Sequence, residues 1–513
     1  YELAVLAVKD KDYKQAMDMI TQSLYVGGRD LQALTLKAYI LRMQDKKEEA
    51  QETIHYIQQI DPLDYWSAAE ASLSASQGAS FLKAGTNHNS KGIIAIQELL
   101  EVVNNYMTIG ATEDALTLLN SAISLGEPYA SNPLLYYYKA YNLLKSKNSI
   151  EFQTCLDKAR SLSPLNNYPF RIEEIALFKT LLQKRPDDAL LHYHLGNLLY
   201  FLGQKESGLE HWLHATETDP SFAIAARNVG FGYGCLNDLE KSIKYYDRAI
   251  NANPNDPLLL TESDKIYEQA NIPTDQRLKR LESHLKTVMK HDDAVMRLLT
   301  LYNAESKYDK SIKILNTRHF HLWEGGGQVH DIYADSHILK GMQFLKRKQY
   351  KEAIREFDLA NQYPSNLEVA PSPNGGYEAK IYYLSGIAYE AMKQTDKAKI
   401  CFEKSADTHF RSHLTDLNYY KIKSLRKLNR NGEADVALSN MQKTLERILR
   451  NPTDSYAKFG EANQNVQQSN ISYYSGLIHL LQNNPSAAKN DFTQALQLYP
   501  GNIWAQLMNK DIH

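Results

Sequence analysis

Residues 189–222 read ALLHYHLGNLLYFLGQKESGLEHWLHATETDPSF, and residues 223–256 read AIAARNVGFGYGCLNDLEKSIKYYDRAINANPND. The two stretches match in register over 34 positions. Both carry a small residue at positions 8 and 20, a large aromatic residue at 24, alanine at 27 and proline at 32. A period of this length is typical of stacked helical hairpins, each of which buries its apolar face only against its neighbours.

Each of these positions has a physical reason. The two helices of a hairpin approach most closely at positions 8 and 20, which therefore require small residues. Positions 24 and 27 are expected to pack the second helix on the first helix of the next hairpin. Proline at 32 ends the second helix, because its ring clashes with a preceding carbonyl and it has no N–H. The same pattern predicts hairpins along most of the chain, with a short last helix from Ile503 that caps the open end.

The order of these positions resembles the tetratricopeptide repeat (TPR). The resemblance implies an all-α fold, a right-handed superhelical solenoid of antiparallel helix pairs with one irregular insertion. We divide the chain into TPR-like repeats at 1–128 with a truncated start, a central TPR array at 129–318, an irregular His/Trp/Glu/Gly-rich insertion at 319–333, and a C-terminal TPR array with its capping helix at 334–513.

Other stretches are similar to a particular group of bacterial proteins, in which a TPR region follows an N-terminal domain of unknown function (the 5107 family). The similar stretches are FRIEE at 170–174, NVG at 228–230, RHFHLWEGG at 318–326 and GGYEA at 375–379. The resemblance covers most of the chain from about residue 90. It implies the C-terminal part of a larger bacterial protein of carbohydrate metabolism, and no particular reaction. The start at Tyr1, inside an expected helix, agrees with a missing upstream domain.

Composition narrows the function classes. The 513 residues carry a formal net charge of −2, which does not support nucleic-acid or anionic-membrane binding through bulk charge. Basic clusters at 277–280 and 346–348 are expected to be solvated helix faces. No apolar run reaches the ~18 residues of a membrane span. The sequence contains no phosphate-binding loop, dinucleotide fingerprint or nucleophile elbow, and we predict no cofactor.

Cysteine usage indicates free thiols. Cys155, Cys235 and Cys401 are far apart and form no CxxC pair, so we expect buried, unbridged side chains within helices. Free thiols favour a cytoplasmic location, although a start that lacks its upstream part leaves the compartment open.

Helix positions 5 and 9 of a TPR hairpin face its concave groove, and aromatic and arginine side chains there are frequent binding anchors. The candidate groove residues are Tyr137, Tyr141, Tyr193, Asn197, Arg227, Phe231, Tyr383, Tyr419 and Tyr473. Two interpretations stay open for each ring: it lines a groove for a protein, peptide or carbohydrate ligand, or it packs against the neighbouring first helix.

Residues 319–330, HFHLWEGGGQVH, break the repeat pattern. Histidine and carboxylate side chains at close spacing can bind zinc or act as an acid/base pair. The alternative is a structural plug whose aromatic rings fill a gap between repeats. We assign no catalytic residue and no metal here, and we keep His319, His321, Trp323, Glu324 and His330 as a candidate loop site.

The sequence therefore favours a TPR scaffold for protein–protein or interdomain interaction, whose partners include its own missing N-terminal domain. The alternative is a helical accessory region of a carbohydrate-active enzyme, with the loop completing a sugar-binding or catalytic site. For this part of the chain alone, activity as an enzyme is not expected.

Overall fold

A computed structural model describes residues 1–84, 93–145, 149–321, 328–371, 376–409, 414–450 and 464–512. Within these residues the regular structure is entirely helical, which confirms the predicted all-α class of paired helices. The chain forms two compact units, Tyr1–Gly232 and Tyr233–His513.

The N-terminal unit holds the first helices of the array. They are α1 (Glu2–Lys9), α2 (Tyr13–Val26), α3 (Leu31–Met43), α4 (Lys47–Ile60), α5 (Tyr65–Ser74), α6 (Phe81–Ala84), α7 (Ile93–Thr108), α8 (Thr112–Ser124), α9 (Pro133–Lys145), α10 (Ser149–Arg160), α11 (Glu173–Leu182), α12 (Ala189–Phe201) and α13 (Lys205–Thr218), followed by α14 (Ala223–Cys235), which contains the boundary.

The C-terminal unit continues with helices of 4 to 20 residues. They are α15 (Leu239–Ala252), α16 (Pro257–Gln269), α17 (Thr274–Ser283), α18 (Leu285–Val288), α19 (Asp292–Ala304), α20 (Tyr308–Thr317), α21 (Gln328–Lys346), α22 (Tyr350–Ala360), α23 (Glu378–Ala391), α24 (Thr395–Ala406), α25 (Asp416–Lys427), α26 (Asn431–Arg450), α27 (Gln464–Leu481), α28 (Pro485–Leu498) and α29 (Ile503–Asp511).

Successive helices pack as pairs inside each unit. In the N-terminal unit α3 packs on α4, α9 on α10 and α12 on α13; in the C-terminal unit α21 packs on α22, α23 on α24 and α27 on α28. The second helices of the two matched repeats end two residues before a proline, as predicted: α13 ends at Thr218 before Pro220, and α15 ends at Ala252 before Pro254.

Short polar side chains and left-handed turns delimit the helices. Asp188 Oδ1 accepts hydrogen bonds from the backbone N–H groups of Leu190 and Leu191 at 3.1 and 3.0 Å, and so caps the start of α12. In the turns that join the helices of a pair, Gly203 (φ 84°) and Asn237 (φ 59°) take the left-handed conformation. Glycine adopts this conformation freely, and asparagine is among the few other residues that tolerate it.

The predicted close approach at positions 8 and 20 is confirmed in the pair α12/α13. A Cβ on Gly208 would lie 2.9 Å from the Gly196 carbonyl oxygen and 2.9 Å from the Tyr200 backbone nitrogen. No side chain fits between the two backbones.

The aromatic residue at position 24 has a role that the sequence analysis did not assign to it. It fills the space beside the position-8 glycine of its own pair, as Phe402 does in α23/α24, where a Cβ on Gly386 would approach Phe402 Cε1 to 2.5 Å. The predicted contact with the next first helix is also present for Trp212, which lies near Gly232 in α14. The same sixteen-residue spacing of glycine and phenylalanine recurs at Gly341/Phe357 and Gly476/Phe492.

Several details differ from the sequence-based expectation. Within the insertion predicted over 319–333, residues 328–333 are helical, because α21 begins at Gln328. Of the three free cysteines only Cys155 is buried as predicted; Cys401 is half-buried, and Cys235, at the end of α14, is exposed.

None of the described helices combines the length and the apolar character that a bilayer crossing requires. The predicted boundaries at 128, 318 and 333 rest on sequence irregularities, and the four segments stay a prediction.

The close contact between α12 and α13 predicts how one added methyl group at Gly208 changes the stability of the protein. Gly208→Ala forces a Cβ against two backbone atoms, so overpacking should cost about 1–3 kcal/mol and lower the thermal midpoint by roughly 2–8 °C. Circular dichroism melting checks this result.

Gly432→Ala is the matched control, because no heavy atom lies within 4 Å of a Cβ built at this position in α26. There the better helix propensity of alanine should leave the midpoint unchanged or raise it slightly. Equal effects of the two substitutions would contradict the packing role of Gly208.

Candidate functional site

The predicted groove tyrosines at helix position 5 are buried. Tyr137 packs edge-on against Phe178 of α11 with ring centroids 5.9 Å apart, and the Tyr383 ring lies 5.6 Å from that of Tyr420 in α25. Such contacts with the following first helix match the packing alternative of the sequence analysis, and a groove role for these rings stays a prediction. The exposed fractions lie between 0 and 6% for the group Tyr137, Tyr193, Tyr383, Tyr419 and Tyr473.

A cationic and aromatic surface is accessible on the first helices of the N-terminal unit. The Arg227 guanidinium carbon lies 5.5 Å from the ring centroid of Phe231, a side chain that is 39% exposed. The Phe231 ring lies 6.0 Å from that of Tyr200, and Lys205 Nζ lies 6.0 Å from the Tyr200 ring centroid. We call Tyr200, Lys205, Arg227 and Phe231 the Arg227 surface.

Asn197 supports this surface from within the unit. Its Oδ1 accepts hydrogen bonds from Trp212 Nε1 at 2.9 Å and from Asn228 Nδ2 at 3.0 Å, and its side chain also hydrogen-bonds to Tyr193. Arg227 in turn donates to Asn228 Oδ1 at 3.1 Å. Asn197 therefore holds its neighbours in place. Tyr141, the last candidate of this group, is half-buried beneath Lys145 Nζ at 4.5 Å.

Residues 170–174, which carry part of the family resemblance, have a structural role. Glu174 accepts a hydrogen bond from the Tyr138 hydroxyl at 2.8 Å and from the backbone N–H groups of Phe170 and Arg171. Burial raises the pKa of the Glu174 carboxyl, and these donors oppose the rise. The carboxylate thus joins the segment before α11 to helix α9.

The basic cluster at 277–280 is not the solvated face that the sequence predicted. Arg277 is 4% exposed and donates to both carboxylate oxygens of Asp264 at 3.0 and 2.8 Å. Burial opposes ionisation of Asp264, but the guanidiniums of Arg297 and Arg277 outweigh it and hold the pKa below its ordinary value. The other cluster, at 346–348, is exposed as predicted.

The C-terminal segment contacts several earlier helices of its own unit, whereas the sequence predicted only an end cap. The Tyr499 hydroxyl donates to Glu268 of α16 at 2.9 Å, and Trp504 lies under Lys380 of α23 with Nζ 3.4 Å from the ring centroid. Apolar side chains of α29 also pack against Tyr308, Ile312 and Leu339. Helix α29 thus covers apolar side chains of other helices in its own unit.

Asp335 of α21 lies beside this docked helix. Its side chain hydrogen-bonds to Trp504, while its Oδ1 is buried and has no hydrogen-bond partner among the described residues. Burial raises the pKa of the carboxyl to about 7, although the nearby Lys380 ammonium opposes the shift. The environment of Asp335 thus disfavours its charged form.

The residues of the candidate loop site lie at separate places in the structure. His319 Nε2 lies 2.7 Å from Glu368 Oε1, and the rings of His319 and His321 are 4.7 Å apart. His330 is elsewhere: it is buried, stacks on Tyr363 with centroids 3.8 Å apart, and hydrogen-bonds to the Gln362 carbonyl. Trp323 and Glu324 lie outside the described residues. The sequence analysis missed Glu368, because it follows 47 residues after His321 and belongs to no recognisable motif.

A second histidine group lies in the N-terminal unit. His192 Nδ1 and His211 Nδ1 are 2.8 Å apart, and the rings of His192 and His214 are 4.0 Å apart. Burial, together with the charge of His192, lowers the pKa of His211 to about 4. His192 Nε2 contacts the Pro186 carbonyl at 2.8 Å, so its ring orientation is set by the end of the preceding segment.

Comparison with protein families identifies two of the repeats. A tetratricopeptide repeat model matches residues 233–256 and 379–407. These matches correspond to the end of α14 with α15, and to the pair α23/α24. The sequence-predicted TPR character of the chain is therefore supported in the C-terminal unit.

Three solved structures with 14–18% sequence identity are also similar to this chain. The MamA RS-1 ArsTM double mutant is 18% identical, with 38% of this chain and 92% of that chain covered and a TM-score of 0.22. YrrB, a TPR protein with an unusual peptide-binding site, is 18% identical over 47% of this chain and 95% of its own, with a TM-score of 0.18. The human IFIT1 dimer with PPP-AAAA is 14% identical over 91% and 90%, with a TM-score of 0.23. With TM-scores this low, no residue of these proteins is placed on the present chain.

The buried Asp335 carboxyl predicts a pH dependence of stability. Its folded-state pKa of about 7 lies above its ordinary value, so its contribution is complete below that ordinary value and is lost as pH rises through 7. Each pKa unit corresponds to about 1.4 kcal/mol. The Asp335→Asn variant should match the wild-type melting midpoint at about pH 3.5, and should exceed it by a growing margin as the pH rises from 5 to 8.

Asp435→Asn, at an exposed position of α26, is the control and should keep the wild-type pH profile. Differential scanning fluorimetry across this range measures all three proteins. Parallel profiles for wild type and Asp335→Asn would show that Asp335 is ionised in the folded protein at neutral pH.

Proposed function

We propose that this chain is a TPR-type interaction scaffold that binds a protein or peptide segment on the Arg227 surface. The observation that carries the proposal is the contact between half-buried Arg227 and exposed Phe231 on a first helix of the N-terminal unit. The predicted tyrosines at position 5 are occupied in packing, and part of the C-terminal unit is covered by its own α29.

The chemistry of the surface indicates the kind of segment it accepts. An arginine guanidinium recognises a carboxylate through paired hydrogen bonds, and the aromatic rings of Phe231 and Tyr200 offer an apolar face beside it. Because Asn228 and the Phe231 ring hold Arg227, less side-chain entropy is lost on binding. The preferred ligand is therefore a segment that places an acidic residue next to a large apolar one.

Selection of displayed peptides against the whole chain tests this proposal. Peptides that bind the wild type are then measured by fluorescence polarisation against an Arg227→Ala/Phe231→Ala variant. We expect enrichment of acidic–apolar sequences and an affinity loss of at least about tenfold, since an arginine and an aromatic anchor together contribute over 1.4 kcal/mol.

An Arg29→Ala/Tyr56→Ala variant is the matched control. It removes an exposed arginine from the turn between α2 and α3 and a tyrosine that is 42% exposed from α4, and it should bind the selected peptides as the wild type does. Peptides that bind equally to all three proteins would overturn the assignment to the Arg227 surface.

The resemblance to bacterial proteins of the 5107 family suggests one source for the segment, which is the N-terminal domain of a longer protein. The separately produced domain, added to this chain, should compete with the selected peptides. A domain that binds without displacing them would place the interdomain contact on another surface.

A role as accessory region of a carbohydrate-active enzyme is the second proposal. What supports it is the exposure of His319 and His321, which are 52% and 81% exposed beside Glu368. A glycan array probed with the chain should then show binding that His321→Ala reduces. The absence of any retained glycan, or retention that the substitution leaves unchanged, would remove this proposal.

A further inference from the structure

His319, His321 and Glu368 converge at one point of the C-terminal unit, although they come from two different helix connections. His319 and His321 follow α20, and Glu368 ends a short 3₁₀ turn (Ser365–Leu367) that follows α22. One ligating atom from each residue lies within 4.8 Å of the other two. We propose that these three side chains form a binding site for a divalent transition-metal ion, with Zn²⁺ as the preferred ion.

The distances suit a metal ion after small side-chain movements. Glu368 Oε1 lies 2.7 Å from His319 Nε2 and 3.9 Å from His321 Nδ1. Two ligands that each lie about 2.0–2.2 Å from zinc are separated by roughly 3.0–3.5 Å. The first separation must open by about 0.3–0.8 Å and the second must close by about 0.4–0.9 Å, which exposed side chains accommodate by rotation.

The backbone that carries the two histidines is held in place. Phe320, between them, is fully buried, and its N–H donates to the Asn366 carbonyl at 2.9 Å. In an extended segment, side chains on either side of a buried residue point the opposite way from it, so both histidines face solvent. The first helix connection is thereby bonded directly to the turn that presents Glu368.

Two further side chains fix the same region. Asn366 Nδ2 donates to the carbonyls of Leu315 and Arg318, both at 2.7 Å. Asp292 accepts the His321 backbone N–H at 2.9 Å and a hydrogen bond from Arg318 Nε at 2.8 Å. These contacts preorganise the ligands, so binding does not require folding of a loose segment.

The ligand set selects the class of ion. Imidazole and carboxylate together suit zinc, cobalt, nickel and copper, whereas magnesium and calcium prefer all-oxygen sites. Three protein ligands leave at least one coordination position for water or an anionic ligand, as in zinc sites that are open to solvent. The proposal does not depend on peptide binding at the Arg227 surface, which lies in the other unit.

The test is a calorimetric titration of the untagged, metal-depleted chain with zinc chloride, repeated with Co²⁺ for its visible absorption. We expect one equivalent of Zn²⁺ with an affinity in the micromolar range or tighter. His319→Ala/His321→Ala and Glu368→Gln should each weaken binding by at least about tenfold, since even residues that only support metal ligands contribute tenfold or more. The Co²⁺ absorption should change in the same variants.

His211→Ala/His214→Ala is the control, because it disrupts the other histidine group and should leave zinc binding unchanged. Thermal melting of each metal-free variant verifies that the fold is intact, which is expected because all three ligands are exposed. No binding at micromolar zinc, binding that survives the loss of His319 and His321, or equal loss in the control would overturn the proposal.

Discussion

The rest of this structure depends on the contact between a glycine at position 8 and the helix that packs across it. At Gly196 and Gly208 the two backbones of a pair approach so closely that an added Cβ would meet a carbonyl oxygen at 2.9 Å. Where the second helix carries phenylalanine at position 24, its ring occupies the space that the glycine leaves. Interiors pack at crystal-like density, so neither partner can change without the other. The constraint sets the distance between helices, and that distance sets which side chains of the first helices reach the surface.

Several of the chain's tyrosine rings are buried between neighbouring helices, among them Tyr137 and Tyr383. A buried tyrosine contributes a large apolar area, but its hydroxyl needs a partner. Tyr138 finds one in Glu174, Tyr499 in Glu268 and Tyr106 in Glu70. Buried carboxylates are costly to ionise, and paired donors offset this cost. Polar pairs of this kind join separate helices, and the pair of Tyr499 and Glu268 joins segments that are far apart in sequence.

The two proposed binding surfaces lie either on a packed framework of first helices or where connections between pairs meet. The Arg227 surface belongs to the first kind, because Asn197 and Trp212 beneath it complete the packing of α12, α13 and α14. The cluster of His319, His321 and Glu368 belongs to the second kind, because clamps from Asn366 and Asp292 bring two connections together. Docked α29 shows the same principle inside one unit, where a helix of the chain itself covers the first helices.

The sequence by itself determined the helix pairs, their close-approach residues and the prolines that end them, because these features depend on contacts within one or two repeats. It also singled out His319 and His321. Only the tertiary structure decided that Glu368 joins them, that Arg277 pairs with Asp264 inside the unit, and that α29 reaches Lys380. These are contacts between residues distant in sequence, and nothing in a local pattern of side chains records which distant residue will lie opposite. The buried tyrosines show the same limit, since a ring at position 5 serves equally well as groove lining or as packing until its neighbours are known.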